Sequence, residues 1–304
     1  MKILFLTDRD RFWWHFTPVI AELVQRGHYG AAAMAPANAY ANAPASVEAL
    51  NAAGASSVQV WEKGHGDMMA WTRKLLLDPG WDVVVVCAEH LAPMRWIKPL
   101  YAERGWPQKV IGMQHGVYQQ VYPQLHEYAD VMMAWGDCGR DLLYPAHEQG
   151  VRVVKTGTPR FDRFTPEQAV DDGFDLALAG HTDAMGGEIT PWYVRHVLEV
   201  FRPTSRPLVI KVHPNDRAYQ PPDDTEGIRW ISHDRPPWDA MRRCSRCYLS
   251  YPSSQWLEVT GYGKPCLLGP WARNVFDRYH RSKILRAEGA VERIINVIEE
   301  TANG

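Results

Sequence analysis

The run Asp82-Val83-Val84-Val85-Val86-Cys87 constrains the fold more than any other segment. Its apolar residues follow one another without polar alternation, so the strand they form must be covered on both faces. A parallel sheet with helices on either side meets that requirement, and the rest of the first half agrees. Ile3 to Thr7, Gly30 to Ala35, Val58 to Trp61, Val110 to Met113, Val131 to Trp135 and Val151 to Thr156 read as strands. Phe16 to Arg26, Ser46 to Ala53 and Asp67 to Leu77 read as helices, the first with Val19, Ile20, Leu23 and Val24 at helical spacing and a stop at Gly27. Phe161 to Asp172, which carries Pro166 and a high share of charge, reads as a linker.

The alternation then restarts. Phe174 to Ala179, Leu208 to Val212, Ile228 to Ile231, Tyr248 to Tyr251 and Cys266 to Gly269 are expected strands. Pro191 to Phe201 and Gln255 to Tyr262 are expected helices, and Ile284 to Glu300 a final helix or pair of helices. The expected organisation is an α/β domain over residues 1–160, a second over 161–283, and a C-terminal helical segment, 284–304, packing back on the first.

A chain of 304 residues is long enough for two such cores. Its formal net charge of -2 gives no broad basic footprint for nucleic acid or an anionic membrane, though a local patch stays open. No apolar run is long enough to span a bilayer, and the sequence starts on a strand, not on a signal peptide. The 5 cysteines are odd in number and scattered, which argues against a disulfide framework and for a reducing cytoplasm. Cys244 and Cys247 form a lone Cys-x-x-Cys without a second pair at zinc spacing, so they read as structural thiols. The 13 tryptophans suit sugar or base stacking, and most belong to cores.

Ligands of open parallel sheets bind beyond the carboxyl ends of the strands. Four polar clusters follow such ends: Gln114-His115-Gly116, Gly180-His181-Thr182-Asp183, His213-Pro214-Asn215 and Ser253-Ser254. The last opens a helix that ends at Gly263-Lys264-Pro265. A strand, a turn with two hydroxyls and a helix start together suit a phosphate, and the same serines also suit simple helix capping.

In order and spacing these motifs resemble the GT-B glycosyltransferase superfamily. They are most similar to its capsule and teichoic-acid branch: CDP-glycerol glycerophosphotransferases, capsule Kdo transferases and polysialyltransferases. The resemblance rests on His115-Gly116, Thr156-Gly157-Thr158-Pro159-Arg160-Phe161-Asp162, His213-Pro214, and Ser253-Ser254 with Gly263-Lys264-Pro265. It covers about residues 110 to 270, with the first hundred residues matching in layout only. It implies a GT-B-like fold of two Rossmann-like domains facing each other across a cleft, the first on the acceptor side and the second holding the nucleotide donor.

The resemblance also implies roles. His115 would be the general base on the acceptor hydroxyl, with Gly116 letting the ligand approach. His213 would assist the departing phosphate. Ser253, Ser254 and Thr182 would bind donor phosphate, and Glu258 the ribose hydroxyls or solvent. Arg160 would pair with phosphate, or with Asp162 or Asp172, and Lys264 is expected to be structural. His15, after Trp13-Trp14, is expected near the acceptor, where Asp8 and Asp10 could hold a cation or the acceptor. The implied transfer is metal-independent and needs no cofactor beyond a nucleotide-sugar or CDP/CMP-activated donor. The acceptor stays open among a glycan, a polyol polymer, a small molecule and a modified DNA base.

Two other functions compete. A UDP-sugar 2-epimerase would share the fold, but its expected Arg-Pro-Glu is replaced here by Pro252-Ser253-Ser254-Gln255. A non-catalytic nucleotide-binding domain would be favoured by loss of His115 or Ser253, and both are present.

Overall fold

The computed structural model describes residues 1–7, 13–34, 43–60, 67–87, 92–114, 129–136, 150–162, 164–179, 191–201, 204–213, 223, 227–232, 235–250, 253, 255–269 and 289–304. The chain divides into two compact units, Met1–Asp162 with Ser282–Gly304, and Arg163–Arg281.

The first unit contains β1 (Lys2–Thr7), α1 (Trp13–Gln25), β2 (Tyr29–Met34), α2 (Ala43–Ala52), β3 (Ser57–Val60), α3 (Met68–Leu76) and β4 (Val83–Cys87). It continues with α4 (Ala92–Arg104), β5 (Lys109–Met113), β6 (Val131–Ala134) and β7 (Arg152–Lys155). The strands form one sheet in the order β3-β2-β1-β4-β5-β6-β7, and every pairing is parallel.

The apolar run of β4 does what its composition demands. Val83 and Val85 join Ile3, Phe5, Ile111 and Met113 beneath Phe16, Val19, Ile20 and Leu23 of α1. Val84 and Val86 join Leu4, Leu6 and Val110 on the opposite face, under Leu76, Ile97 and Tyr101. Period-two alternation across a strand buried on both sides gives these two cores.

The last helix, α8 (Ala290–Asn303), belongs to this unit. Its Ile294, Ile295, Val297 and Ile298 complete the core beneath α1. Arg26 adds ion pairs to Glu292 and Glu299, and Arg293 Nε donates to Thr156 O at 2.8 Å. Exposed ion pairs contribute about 0–1 kcal/mol each, whereas burying an isoleucine contributes about 2–3 kcal/mol. The apolar face therefore holds α8, and the charges set its register.

The second unit contains β8 (Asp175–Leu178), α5 (Pro191–Phe201), β9 (Leu208–Lys211), β10 (Ile228–Ile231), α6 (Trp238–Arg243), β11 (Arg246–Leu249), α7 (Gln255–Gly261) and β12 (Cys266–Leu268). Its sheet order is β10-β9-β8-β11-β12, again all parallel. Ala177, Ala179, Leu208, Ile210, Val212 and Tyr248 pack with Tyr193, Val197 and Phe201 of α5. At the amino ends of the strands, fully buried Asp175 accepts from Arg246 Nε and Nη2 at 3.0 and 3.2 Å and from Thr204 at 2.9 Å. That carboxylate is satisfied and lies away from the ligand end of the sheet.

Several elements differ from the sequence reading. The strand expected at Tyr248 to Tyr251 starts two residues earlier, because Arg246 joins the ladder through its register with Asp175. A short 3-10 turn, Pro159–Phe161, leads into the linker and a second, Pro166–Gln168, lies within it, each opened by a threonine before proline. No described helix is long and apolar enough to cross a membrane.

Candidate functional site

In an open parallel sheet the ligand crevice forms where the strand order reverses. In the second unit that point lies between β8 and β11, from which β9-β10 and β12 run in opposite directions. The loop after β8 contains Thr182, and the turn after β11 contains Ser253 and Ser254. The strand order thus selects two of the sequence clusters. Thr182 and Ser254 themselves lie outside the described residues.

The turn after β11 is built on a polar footing. Ser250 is fully buried, and its hydroxyl lies 3.5 Å from Leu178 O on β8. Tyr248, on the preceding residue pair, bonds His196 Nε2 of α5 through its hydroxyl at 2.8 Å. Burial pushes the Tyr248 phenol up to about 12. Gly269 N donates to Leu249 O at 2.8 Å, so β12 closes the other side. A Cβ on Gly269 would stand 2.5 Å from the Tyr248 hydroxyl and 3.2 Å from Ser250 Cα, and only glycine allows that approach.

Ser253 Oγ accepts from Gln255 N at 3.3 Å, so the hydroxyl does cap α7. The helix has 7 residues, shorter than the expected Gln255 to Tyr262, and its dipole is correspondingly small. Glu258 corrects one expectation. It is 0 % exposed and is not a solvated surface carboxylate. Buried carboxylates are costly, so this position requires polar company. Lys264 is structural as expected, its ammonium donating to Val170 O at 2.5 Å. His213 follows β9 and is partly exposed, one strand from the reversal point. Lys211, two residues earlier, is 2 % exposed and donates to the carbonyls of Val212 and Ser232. The sequence reading passed over it.

In the first unit the order reverses between β1 and β4. The residue nearest that point on a described helix with acid-base chemistry is His15, in the first turn of α1. It is fully buried, its Nδ1 lies 2.6 Å from Thr158 Oγ1, and its ring stacks on Trp135 at 5.8 Å and 19°. Thr158 Oγ1 also accepts Arg160 N at 3.4 Å. If His15 donates from Nδ1, Nε2 is left as a basic lone pair; if Thr158 donates, Nε2 carries the proton.

Trp135 further meets Phe161 edge-on at 5.2 Å, and its backbone N donates to Gln114 Oε1 at 2.8 Å. Gln114 in turn donates its backbone N to Met133 O at 3.0 Å. The buried Trp135 Nε1 has no hydrogen-bond partner among the described residues. His15, Trp135, Gln114, Thr158 and Phe161 are thus one assembly at the carboxyl end of the sheet. Sequence reading singled out His15 and the Thr-Gly-x-Pro-Arg motif separately, with nothing in the chain to connect them.

His115 and Gly116 follow β5, adjacent to β4, and lie outside the described residues, as do Asp8 and Asp10. Asp172, offered as a partner of Arg160, instead bonds Arg243 Nε at 2.6 Å. No group of three His, Cys, Asp or Glu among the described residues is placed to hold a metal ion.

No family model matches the chain, and no curated protein sequence matches it. Solved structures do. A UDP-N-acetylglucosamine 2-epimerase superposes with TM-score 0.60 at 12 % identity, over 100 % of this chain and 97 % of its own. The glycotransferase of kitacinnamycin gives 0.58 at 13 %, over 100 % and 91 %. The spinosyn rhamnosyltransferase SpnG, complexed with thymidine diphosphate, gives 0.55 at 15 %, over 99 % and 93 %. The two parallel sheets with their interleaved helices are the fold of GT-B glycosyltransferases.

Proposed function

We propose that the protein is a metal-independent transferase that moves a sugar or polyol phosphate from a nucleotide-activated donor to an acceptor hydroxyl. The observation that carries this reading is the β11–turn–α7 unit. It stands at the reversal point of the second sheet, with Ser253 at the turn and Glu258 fully buried one turn later. Ser253, Ser254 and Thr182 bind the donor phosphates, and Glu258 accepts from the ribose hydroxyls. His213 donates to the phosphate oxygen that gains charge as the bond to the transferred group breaks.

His115 takes the proton from the attacking hydroxyl. His15 is the second base to consider, because it opens α1 at the reversal point of the first sheet and is held by Thr158. The donor class we infer is CDP- or CMP-activated, from the likeness of the motifs to the capsule and teichoic-acid branch. The SpnG complex supports a nucleoside diphosphate of some kind. The same fold is found in a 2-epimerase, and Pro252-Ser253-Ser254-Gln255 is what separates this chain from that chemistry.

A thermal-shift panel of CMP, CDP, UDP, dTDP and their sugar or polyol conjugates identifies the donor, since a native-state ligand raises the melting temperature by mass action. Single-turnover transfer then tests the base. His115→Ala should retain donor affinity and lose about a hundredfold or more in rate. A folded variant with full rate would remove His115 from the mechanism and pass the role to His15.

A further inference from the structure

Three thiols converge on the face of the second sheet opposite α5. Cys247 of β11 and Cys266 of β12 are register partners on adjacent parallel strands. In-register residues point to the same face, and neighbouring strands lie about 4.8 Å apart. That separation falls within the roughly 4.4–6.8 Å between Cα atoms that a disulfide spans, so a bond across these strands needs no slip of the ladder. The Cys247 thiol donates to Tyr248 O at 3.9 Å. The Cys244 thiol donates to Met241 O at 3.3 Å, turned back to α6.

Accessibility sets an order of reaction. Cys244 and Cys247 are 0 % exposed, whereas Cys266 is partly exposed on the last strand of the sheet. Burial pushes the Cys244 thiol up to about 12 and Cys247 well above the usual range, so both stay protonated at neutral pH. Cys266 is therefore the residue of the pair that a solvent oxidant meets first, and Cys247 is its register partner.

We propose that Cys266 and Cys247 are a peroxide-responsive pair that closes to a disulfide across β11 and β12. The Cys266 thiolate attacks one oxygen of hydrogen peroxide; the O–O bond breaks, hydroxide leaves, and the sulfur becomes a sulfenic acid. The Cys247 sulfur then attacks that sulfur; the S–O bond breaks, the S–S bond forms, and the Cys247 proton leaves with the hydroxyl as water. In sum two thiols lose two hydrogens and two electrons, and one peroxide becomes two waters. The bond forms on the strand that runs directly into Ser250 and the Ser253 turn, whose far side is closed by Gly269 N bonding Leu249 O. The Cys-x-x-Cys of the sequence is thus not the reactive pair. This inference does not depend on the proposed function.

The test treats the reduced full-length protein with hydrogen peroxide, counts thiols after denaturation, and maps crosslinks by mass spectrometry of non-reduced peptides. The expected result is the loss of two thiols per chain and one linked peptide pair, Cys247 with Cys266. Cys266→Ser should leave Cys247 reduced, while Cys244→Ser should leave the crosslink intact. A Cys244–Cys247 link, an intermolecular Cys266 link, or Cys266 driven to sulfonic acid without a linked peptide would overturn the proposal. The wild-type map decides the matter even if a variant folds poorly.

Discussion

His15 and Thr158 stand 143 residues apart in the chain, and their Nδ1 and Oγ1 atoms stand 2.6 Å apart. Both side chains are buried, so the pair fastens the start of α1 to the turn that ends the first unit. Thr158→Val keeps the shape and removes the hydroxyl, depriving His15 Nδ1 and Arg160 N of a partner. Urea denaturation should show a loss of about 1–3 kcal/mol, largely restored in Thr158→Ser. A valine variant as stable as wild type would mean that the contact contributes nothing.

Two glycines should respond differently to alanine. At Gly269 the added carbon meets the Tyr248 hydroxyl at 2.5 Å and the Ser250 backbone at 3.2 Å. At Gly112 it meets Met132 Sδ at 2.1 Å, on a flexible side chain. Gly269→Ala should cost about 1–3 kcal/mol and loosen donor binding, because it displaces the footing of the Ser253 turn. Gly112→Ala should cost less, despite the shorter contact, since methionine can turn aside. Equal losses in thermal denaturation would argue that backbone and side-chain obstacles are equivalent here.

The second unit should weaken in alkali. Burial raises Tyr248 from 10.0 to about 12 and Cys244 from 9.0 to about 12, and also raises Tyr193 and Cys247. The folded state keeps these protons while the unfolded chain gives them up. Stability from this cluster is therefore complete below about pH 9 and is lost as pH rises towards 12. Melting curves from pH 7 to 11 should show the decline beginning near pH 9, and Tyr248→Phe should flatten it. A variant with the same alkaline slope would remove Tyr248 as a cause.

Much of the fold was legible because its strands are buried on both faces. Asp82-Val83-Val84-Val85-Val86-Cys87 admits little else, and the helix of Val19, Ile20, Leu23 and Val24 announces its own period. Helix α4 was not read, since Pro99 lies inside it and breaks the pattern, and α6 is too short to show one. The candidate site was legible only in parts. Clusters at strand ends are local features, so His213 and Ser253 stand out in the sequence. The burial of Glu258 depends on which face α7 turns inward, and the His15–Thr158 contact depends on a sheet order that no local signal carries. Lys211 was overlooked because a lysine in a strand ordinarily marks an exposed edge.

Glu258 offers a way to read the ribose. If its buried carboxylate accepts from ribose hydroxyls, Glu258→Ala should weaken a ribonucleotide by about tenfold or more, in the range of a charge-assisted hydrogen bond. A 2′,3′-dideoxynucleotide should bind wild type weakly and lose little further in the variant. Equal losses for both nucleotides would assign Glu258 to holding the fold together.

The most direct test of the donor site is calorimetric. Wild type and the Ser253→Ala/Ser254→Ala double variant are titrated with the nucleoside diphosphate that the thermal-shift panel selects, after circular dichroism shows both folded. Saturable binding that weakens in the variant by about 1–3 kcal/mol, the loss of two hydrogen bonds to charged phosphate, is the predicted result. No nucleotide binding by the wild type, or equal affinity in both proteins, would contradict the placement of the donor at the turn after β11.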